Sequence, residues 1–274
     1  MAKPFAFVVL FFTLSVSAFA QAGLNITIEE AGGKITITRC RGSVKELVIP
    51  ETINDMPVTA IGDYAFSKKN IDSVVIPGTV TSIGHGAFAE NNLTELVIGD
   101  NVTSLGRGAF AENRLTQVVI GRNVTVIPRG CFQVNFLEFV EIPATVRTIE
   151  DYAFYSNRLT GITIPQGVTE IGEGAFSNNR ISVLSVGGGV RKIGDGAFYN
   201  NELASITIPA GIDEIGKRAF NNRPKTGALR SRINYLDIHE NLIFSTDGSF
   251  DTYFESQNKR PGEYVYTDGA WSVK

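Results

Sequence analysis

Residues 71–88 read IDSVVIPGTVTSIGHGAF, and residues 93–110 read LTELVIGDNVTSLGRGAF. The two stretches carry aliphatic residues, a Gly, an Ala and a Phe at the same places, so each of these positions recurs at a fixed interval. The Phe occurs eight times at this interval, at Phe66, Phe88, Phe110, Phe132, Phe154, Phe176, Phe198 and Phe220. A fixed period over this many units predicts a solenoid, because independently folded domains do not keep one register.

Each unit contains two short segments that predict β-structure. Leu96 and Ile98 alternate with residues of the opposite face, and this period of two predicts a strand with two inward side chains. A Pro or Gly follows and ends the strand. Val102 and Leu105 predict a second, shorter inward-facing segment. Residues 106–113 predict one helical turn or an irregular arc.

Two further positions of the unit predict packing between coils. The Gly after the second segment is replaced by Pro128 and Glu150 in two units. Because proline fixes φ near about −65°, this position does not require a positive φ, and close packing explains the Gly better. An Asn follows the Phe by three residues in six units, at Asn91, Asn113, Asn135, Asn157, Asn179 and Asn201. We predict an interior ladder that bonds turn backbone, with a polar binding stripe as the alternative.

The pattern L-x-x-V-x-I-P-x-x-V-T-x-I-G-x-x-A-F resembles the BspA-like class of leucine-rich repeats. One copy consists of Ile71, Val74, Ile76, Pro77, Val80, Thr81, Ile83, Gly84, Ala87 and Phe88. The resemblance covers residues 44–223 and implies a curved, right-handed solenoid on bacterial surface proteins, often involved in adhesion. The usual Cys after A-F-x-x is Asn here, in a unit one residue shorter. The resemblance identifies no ligand.

The N-terminus predicts export. Lys3 precedes an apolar run over residues 5–16, and Ala18-Phe19-Ala20 is an A-x-A cleavage site, with the cut expected after Ala20. The apolar run is too short to span a bilayer comfortably, and no later segment is long and apolar enough to do so. We therefore expect no membrane span after cleavage of the signal peptide.

Both ends of a solenoid expose core and need caps. We expect a signal peptide at 1–20, an N-terminal cap at 21–49, a leucine-rich-repeat solenoid of eight 22-residue units at 50–222 and a C-terminal cap at 223–274. Gly32-Gly33 predicts a hairpin turn in the first cap, and residues 51–57 an inserted loop. Residues 249–258 predict a helix, and Asp268-Gly269 a second hairpin. The many aromatic residues of this last segment leave a carbohydrate-binding platform as an alternative to a cap.

Charge and side-chain chemistry exclude several functions. The net charge is −3 with no basic run, which disfavours nucleic-acid binding. Neither His85 nor His239 lies in a metal-ligand spacing, so we expect no metal, no cofactor and an exposed His85. Cys40 and Cys131 lie about four coils apart, roughly 19 Å at about 4.8 Å per coil, which is too far for a disulfide. We predict that both are unpaired and buried.

Catalysis is disfavoured as well. Glu95 and Glu141 are the candidate carboxylates on the exposed strand face, and they lie two coils apart, roughly 10 Å or more. Inverting glycosidases place their carboxylates about 6.5–9.5 Å apart. We expect no catalytic residue and no enzyme, with a polysaccharide-acting enzyme as a remaining alternative.

These observations predict a secreted leucine-rich-repeat protein of the bacterial surface or periplasm that mediates protein–protein interaction or adhesion. The expected partner is a protein or extracellular-matrix ligand, and the alternative is a structural envelope protein without a specific ligand. The predicted binding residues point outward from the strands and comprise Val75, Val97, Val119 and Phe139, bordered by Glu95, Gln117 and Glu141. In the simpler interpretation the valines only reflect the preference of β-branched residues for strands.

Overall fold

A computed structural model of the chain describes residues 24–203, 205–220, 262–267 and 270–273. These residues form a β-solenoid of about eight coils, and no helix occurs among them. The predicted fold class is therefore confirmed. The strands are β1 (Asn25–Ala31), β2 (Lys34–Arg41), β3 (Glu46–Val48), β4 (Thr52–Ile53), β5 (Met56–Ile61), β6 (Ser73–Val75), β7 (Ser82–Ile83), β8 (Glu95–Val97), β9 (Ser104–Leu105), β10 (Gln117–Val119), β11 (Val126–Ile127), β12 (Thr148–Ile149), β13 (Gly161–Ile164), β14 (Glu170–Ile171), β15 (Val183–Val186), β16 (Lys192–Ile193), β17 (Ser205–Ile208), β18 (Glu214–Ile215), β19 (Gly262–Thr267) and β20 (Ala270–Val273).

The strands of the repeats form two strips along the solenoid. The first strip contains β3, β6, β8, β10, β13, β15 and β17, and the second contains β5, β7, β9, β11, β12, β14, β16 and β18. Neighbouring coils pair in parallel and in register, position for position of the repeat, as in Leu96 with Val118 and Ile149 with Ile171. The first strip is not one continuous sheet but is divided into the pairs β3–β6, β8–β10 and β13–β15. The second strip forms two longer ladders, β5-β7-β9 and β11-β12-β14-β16-β18.

Both ends of the described chain contain hairpins. The predicted turn at Gly32-Gly33 joins antiparallel β1 and β2, and β2 pairs in parallel with β5. The loop expected at residues 51–57 is instead a tight hairpin of β4 and β5, because Asn54 and Asp55 adopt φ values of 51° and 61°. The predicted second hairpin is present as β19 and β20, and β19 pairs with β17. The signal peptide and the helix expected at 249–258 lie outside the described residues, and the capping roles stay predictions.

The Phe side chains form the centre of the core. Successive rings stack with centroids 5.2–5.8 Å apart and planes inclined by 1–16°. All eight are at most 3% exposed. Each buried Phe contributes roughly 1.5–3 kcal/mol from its apolar area, before the loss of conformational entropy. Since each ring stacks on the ring of at least one neighbouring coil, one coil alone has no core.

The arc between the second strand and the next coil is irregular rather than helical. Gly108 has a φ of 60° and Glu112 a φ of 55°, and a right-handed helix requires negative values. The position two residues before the Phe is left-handed in every unit. It is filled by Gly in five units and by Tyr64, Tyr152 and Arg218 in the others. The sequence predicts the conformation only for the Gly after the second segment, and it does not predict this left-handed position.

The Gly after the second segment lies against the preceding coil, as predicted. A Cβ added to Gly106 would lie 2.3 Å from the carbonyl carbon of Gly84 and the amide nitrogen of His85. In the corresponding Gly84, Gly172, Gly194 and Gly216 the distance to preceding backbone would be 2.3–2.7 Å. A side chain at any of these five glycines would therefore require the neighbouring backbone to shift locally.

The Asn residues form the predicted interior ladder. Oδ1 of Asn91 accepts the amide hydrogens of Lys69 at 3.0 Å and Ile71 at 3.1 Å. Its Nδ2 donates to the carbonyl oxygens of Phe66 at 2.8 Å and Phe88 at 2.9 Å. The other five Asn side chains bridge consecutive coils in the same way. The ladder satisfies turn backbone that is otherwise buried without partners.

Cys40 and Cys131 are free and buried, as predicted. Burial raises the pKa of both thiols, most strongly for Cys131. Since the thiolate is the reactive form, both residues behave as small core side chains.

We expect Gly106→Ala to lower the free energy of unfolding by about 1–3 kcal/mol, because its Cβ overlaps backbone of the preceding coil. Gly99→Ala is the matched control, since a Cβ there meets no atom within 4 Å. The control is expected to change stability by less than about 0.5 kcal/mol. Urea denaturation monitored by circular dichroism measures both, and equal losses would contradict the packing argument.

We expect Asn91→Asp at neutral pH to cost about 3 kcal/mol, because a buried carboxylate would face the carbonyl oxygens of Phe66 and Phe88. The adjacent half-buried Asn92 takes no part in the ladder, so Asn92→Asp is the control with the same change of charge. Thermal unfolding should show a lower Tm for the first variant alone. A similar Tm for both variants would mean that the ladder does not stabilise the coils.

Candidate binding surface

All seven predicted binding residues lie on the solvent side of the first strip. The exposed fractions of the apolar members are 58% for Val75, 42% for Val97, 49% for Val119 and 68% for Phe139. The three polar members, Glu95, Gln117 and Glu141, are exposed as well. The two-residue period thus predicted the orientation of these side chains correctly.

The structure brings only part of this set into direct register. Val97 pairs with Val119, and Glu95 with Gln117, across β8 and β10. One repeat further along the chain, Phe139 follows Glu95 and Gln117, whereas Glu141 follows the valines. The aromatic ring therefore lies diagonally beside the valines rather than in line with them. Glu95 and Glu141 lie in different rows as well as two coils apart.

The coil of Phe139 departs from the regular strand geometry. Residues 138–142 form no strand, although Val140 and Ile142 remain buried as inward residues. Within this stretch, the inter-coil backbone bond that the structure shows runs from the amide of Thr160 to the carbonyl oxygen of Glu138, at 3.3 Å. Phe139 is thus positioned by its buried neighbour Val140 and by this bond to the following coil.

Two contributors to this surface were missed as binding residues in the sequence. Phe136 is 39% exposed, and the guanidinium carbon of Arg158 lies 4.1 Å from the centre of its ring. Phe136 occupies a position that is polar in the other units, at Asn70, Asn92, Arg114, Arg158, Arg180 and Glu202. An apolar residue in an otherwise polar row was the available signal.

A second candidate is a shallow cleft of about 390 Å³ along the arcs of four coils. Its lining includes Tyr152, Glu173, Gly174 and Tyr199. The Tyr152 hydroxyl donates to the Glu173 carboxylate, and the Arg129 guanidinium carbon lies 5.5 Å from the centre of the Tyr152 ring. A Cβ at Gly174 would lie 2.6 Å from this ring, so the Gly leaves space for it. Tyr152 is consequently fixed in place by its neighbours.

Comparison with protein families decides the class of the chain. The description "BspA type Leucine rich repeat region (6 copies)" matches residues 59–182 and 148–267, about three quarters of the chain. The chain belongs to the BspA-type leucine-rich repeat family. The resemblance inferred from the repeat pattern is therefore confirmed, in a BspA-type protein whose coils keep one constant length.

Solved structures of leucine-rich proteins resemble this BspA-type chain. A leucine rich cell surface protein from Faecalibacterium prausnitzii is 28% identical, with 73% of each chain covered and a TM-score of 0.47. The pneumococcal vaccine antigen PcpA is 14% identical, with 74% and 78% coverage and a TM-score of 0.35. The leucine rich repeat protein of T. pallidum is 19% identical, with 64% and 78% coverage and a TM-score of 0.41. A comparison with curated proteins gives no match.

The described part of this BspA-type solenoid offers no group of three His, Cys, Asp or Glu side chains arranged to hold a metal ion. Nor does that part contain a helix with the length and apolarity needed to cross a bilayer. His85 is exposed, as predicted, and its Nδ1 accepts the amide hydrogen of Arg107 at 2.9 Å. It therefore belongs to the links between coils.

The pKa of Tyr152 provides a test of the cleft in this BspA-type protein. The hydrogen bond to Glu173, burial and the charge of Glu173 raise this pKa to about 12. The contact therefore stabilises the fold fully below the unfolded pKa of about 10, and this contribution is lost as pH rises through about 12.

We expect Glu173→Gln to lower the pKa of Tyr152, because the charged acceptor of its hydroxyl is removed. Ultraviolet titration of tyrosinate in the parent and in Tyr152→Phe isolates this residue by difference. Tyr155→Phe is the control, because it removes the hydroxyl of a neighbouring tyrosine and keeps its ring against Tyr152. An unchanged Tyr152 titration in Glu173→Gln would show that the hydrogen bond is absent in solution.

Proposed function

We propose that this protein is exported, is retained at the bacterial cell surface or in the periplasm, and binds another protein there, as in adhesion. The binding face in this proposal is the solvent side of the first strip. The export step relies on the signal peptide expected at residues 1–20. The predicted caps at residues 21–49 and 223–274 would keep the ends of the solenoid soluble.

The observation that carries the proposal is the exposed apolar face around Val97, Val119 and Phe139. The two valines adjoin on paired strands, and Phe139 lies beside them with two thirds of its surface exposed. Contiguous apolar surface of this kind on a soluble protein marks interaction sites. Its polar border of Glu95, Gln117 and Glu141 matches the arrangement of an apolar centre with a polar rim.

Membership of the BspA-type family supports the same assignment. Stacked coils present long, regular rows of outward side chains, and such surfaces suit macromolecules better than small ligands. A protein or extracellular-matrix partner is therefore the class that we propose. Catalysis forms no part of the proposed function.

The test measures binding of the mature chain to immobilised, purified extracellular-matrix and envelope proteins by surface plasmon resonance. We expect saturable binding to at least one of them. Val97→Asp, Val119→Asp and Phe139→Asp, made singly, should each weaken it by about tenfold or more, because each places a charge in the apolar face.

Ser104→Asp is the matched control. Ser104 is exposed on the second strip, and the substitution adds the same charge there, away from the proposed binding face. Circular dichroism verifies that every variant is folded. The proposal fails if no partner in the panel binds saturably. It also fails if the three variants bind as tightly as the control.

A further inference from the structure

The exposed apolar residues near Phe139 extend beyond the valine face into the centre of the solenoid. Phe136, Phe139 and Val183 are 39%, 68% and 68% exposed. Aromatic side chains with this exposure are enriched where proteins bind one another. These residues therefore extend the candidate surface from Phe139 toward Phe136 and Val183.

A glycine separates two of these side chains. Gly161 pairs with Val183 across β13 and β15, and the amide of Thr160 bonds the carbonyl oxygen of Glu138 in the coil of Phe139. Phe139, Gly161 and Val183 are equivalent positions of the repeat and occupy one row on three successive coils. Two coil spacings separate the outer side chains by roughly 10 Å, and Gly161 contributes no side chain between them.

Backbone geometry does not require a glycine there. The φ of Gly161 is not positive, and an added Cβ would meet atoms of Val183 at 3.5 Å and 3.7 Å, an ordinary contact distance. Gly in a strand weakens it relative to a β-branched residue. The fold therefore does not require a glycine at this position, and the gap between Phe139 and Val183 is a feature of the surface alone.

Three arginines line the same region in the row of Phe136. Arg114, Arg158 and Arg180 are exposed, and none forms an ion pair within the part of the chain that the structure describes. Glu138 lies in the adjacent row but pairs with none of them. Five other cations of the described chain have carboxylate partners, namely Lys45, Lys68, Arg122, Arg129 and Lys192, whereas others such as Lys34 and Arg107 form no ion pair there either. The three guanidinium groups are thus available to carboxylates from another molecule.

We propose that this surface, the Phe139 notch, binds an acidic segment of a protein partner. The Phe139 notch comprises Phe136, Phe139, Gly161, Val183 and the flanking arginines Arg114, Arg158 and Arg180. An aliphatic or aromatic side chain of the segment enters the gap above Gly161, and its Asp or Glu carboxylates contact Arg158 and Arg180. This inference depends on the proposed protein-binding function and specifies where the partner binds and which charge it carries.

Physical chemistry favours this kind of partner. Arginine forms two parallel hydrogen bonds with a carboxylate, and buried aromatic and Arg residues dominate binding energies at protein interfaces. Arg158 is already oriented by Phe136, so less conformational freedom is lost when it binds. A basic segment would place its charges against the same guanidinium groups.

The probe is a fluorescein-labelled peptide in which glutamates alternate with leucines around a central Trp. A second peptide carries Lys in place of Glu. We expect fluorescence anisotropy to show binding of the acidic peptide alone, weakened by salt because the charges are exposed. Gly161→Ile should weaken binding by about tenfold or more, since it fills the gap, and Arg158→Gln and Arg180→Gln should weaken it as well.

Thr163→Ile is the matched control, because it adds a similar side chain to the outward face of the same strand. Its affinity for the acidic peptide should equal that of the parent, and thermal unfolding verifies that both Ile variants fold. The Phe139 notch is refuted if the acidic peptide does not bind, if both peptides bind equally, or if Gly161→Ile binds like Thr163→Ile.

Failure of the notch and failure of the proposed function have different signatures. A matrix or envelope partner that is lost in Val97→Asp but retained in Gly161→Ile supports the function and overturns the notch. Binding of the acidic peptide at the notch without any protein partner supports the notch chemistry and overturns the proposed function.

Discussion

The constant register between successive coils is the constraint on which the structure depends. A coil has an apolar inner face but no opposing layer of its own, so its core forms between coils. Stacked Phe rings and bridging Asn side chains both require this register, because each contacts the equivalent position one coil away. A coil of different length would displace rings, amides and strand pairs together. This shared requirement explains why the inward positions vary so little while the outward ones vary freely.

The parts of the fold that repeat were predictable from sequence. The strands, the buried Asn ladder and the tightly packed Gly each leave the same signal in many coils. Single features leave no such signal: the hairpin formed by β4 and β5 depends on the left-handed conformation of Asn54 and Asp55 alone. The interruptions of the first strip also occur at single places and leave no repeated signal. The left-handed position two residues before the Phe is not evident from residue type, because Tyr64, Tyr152 and Arg218 occupy it alongside Gly.

For the candidate surface, the sequence predicted which side chains point toward solvent but not which of them are neighbours. Alternation placed Val97, Val119 and Phe139 on the solvent side, and the structure agrees. The interaction between Phe136 and Arg158 joins one coil to the next outside any strand, where no two-residue period applies. Likewise, the sequence does not predict that Arg114 and Arg180 form no ion pair among the described residues. Contacts of this kind, between side chains of neighbouring coils, can be identified only from the stacked structure.

The direction of the hydrogen bonds between coils has a mechanical consequence. Because these bonds run along the solenoid axis, a load between the two ends pulls on one coil's bonds at a time rather than shearing many together. Each coil that detaches releases one 22-residue repeat of chain, or roughly 75 Å of extended length. The molecule would therefore lengthen in steps under tension, dissipating work with each step. Outward side chains on coils that are still stacked would keep their relative positions while the end coils detach.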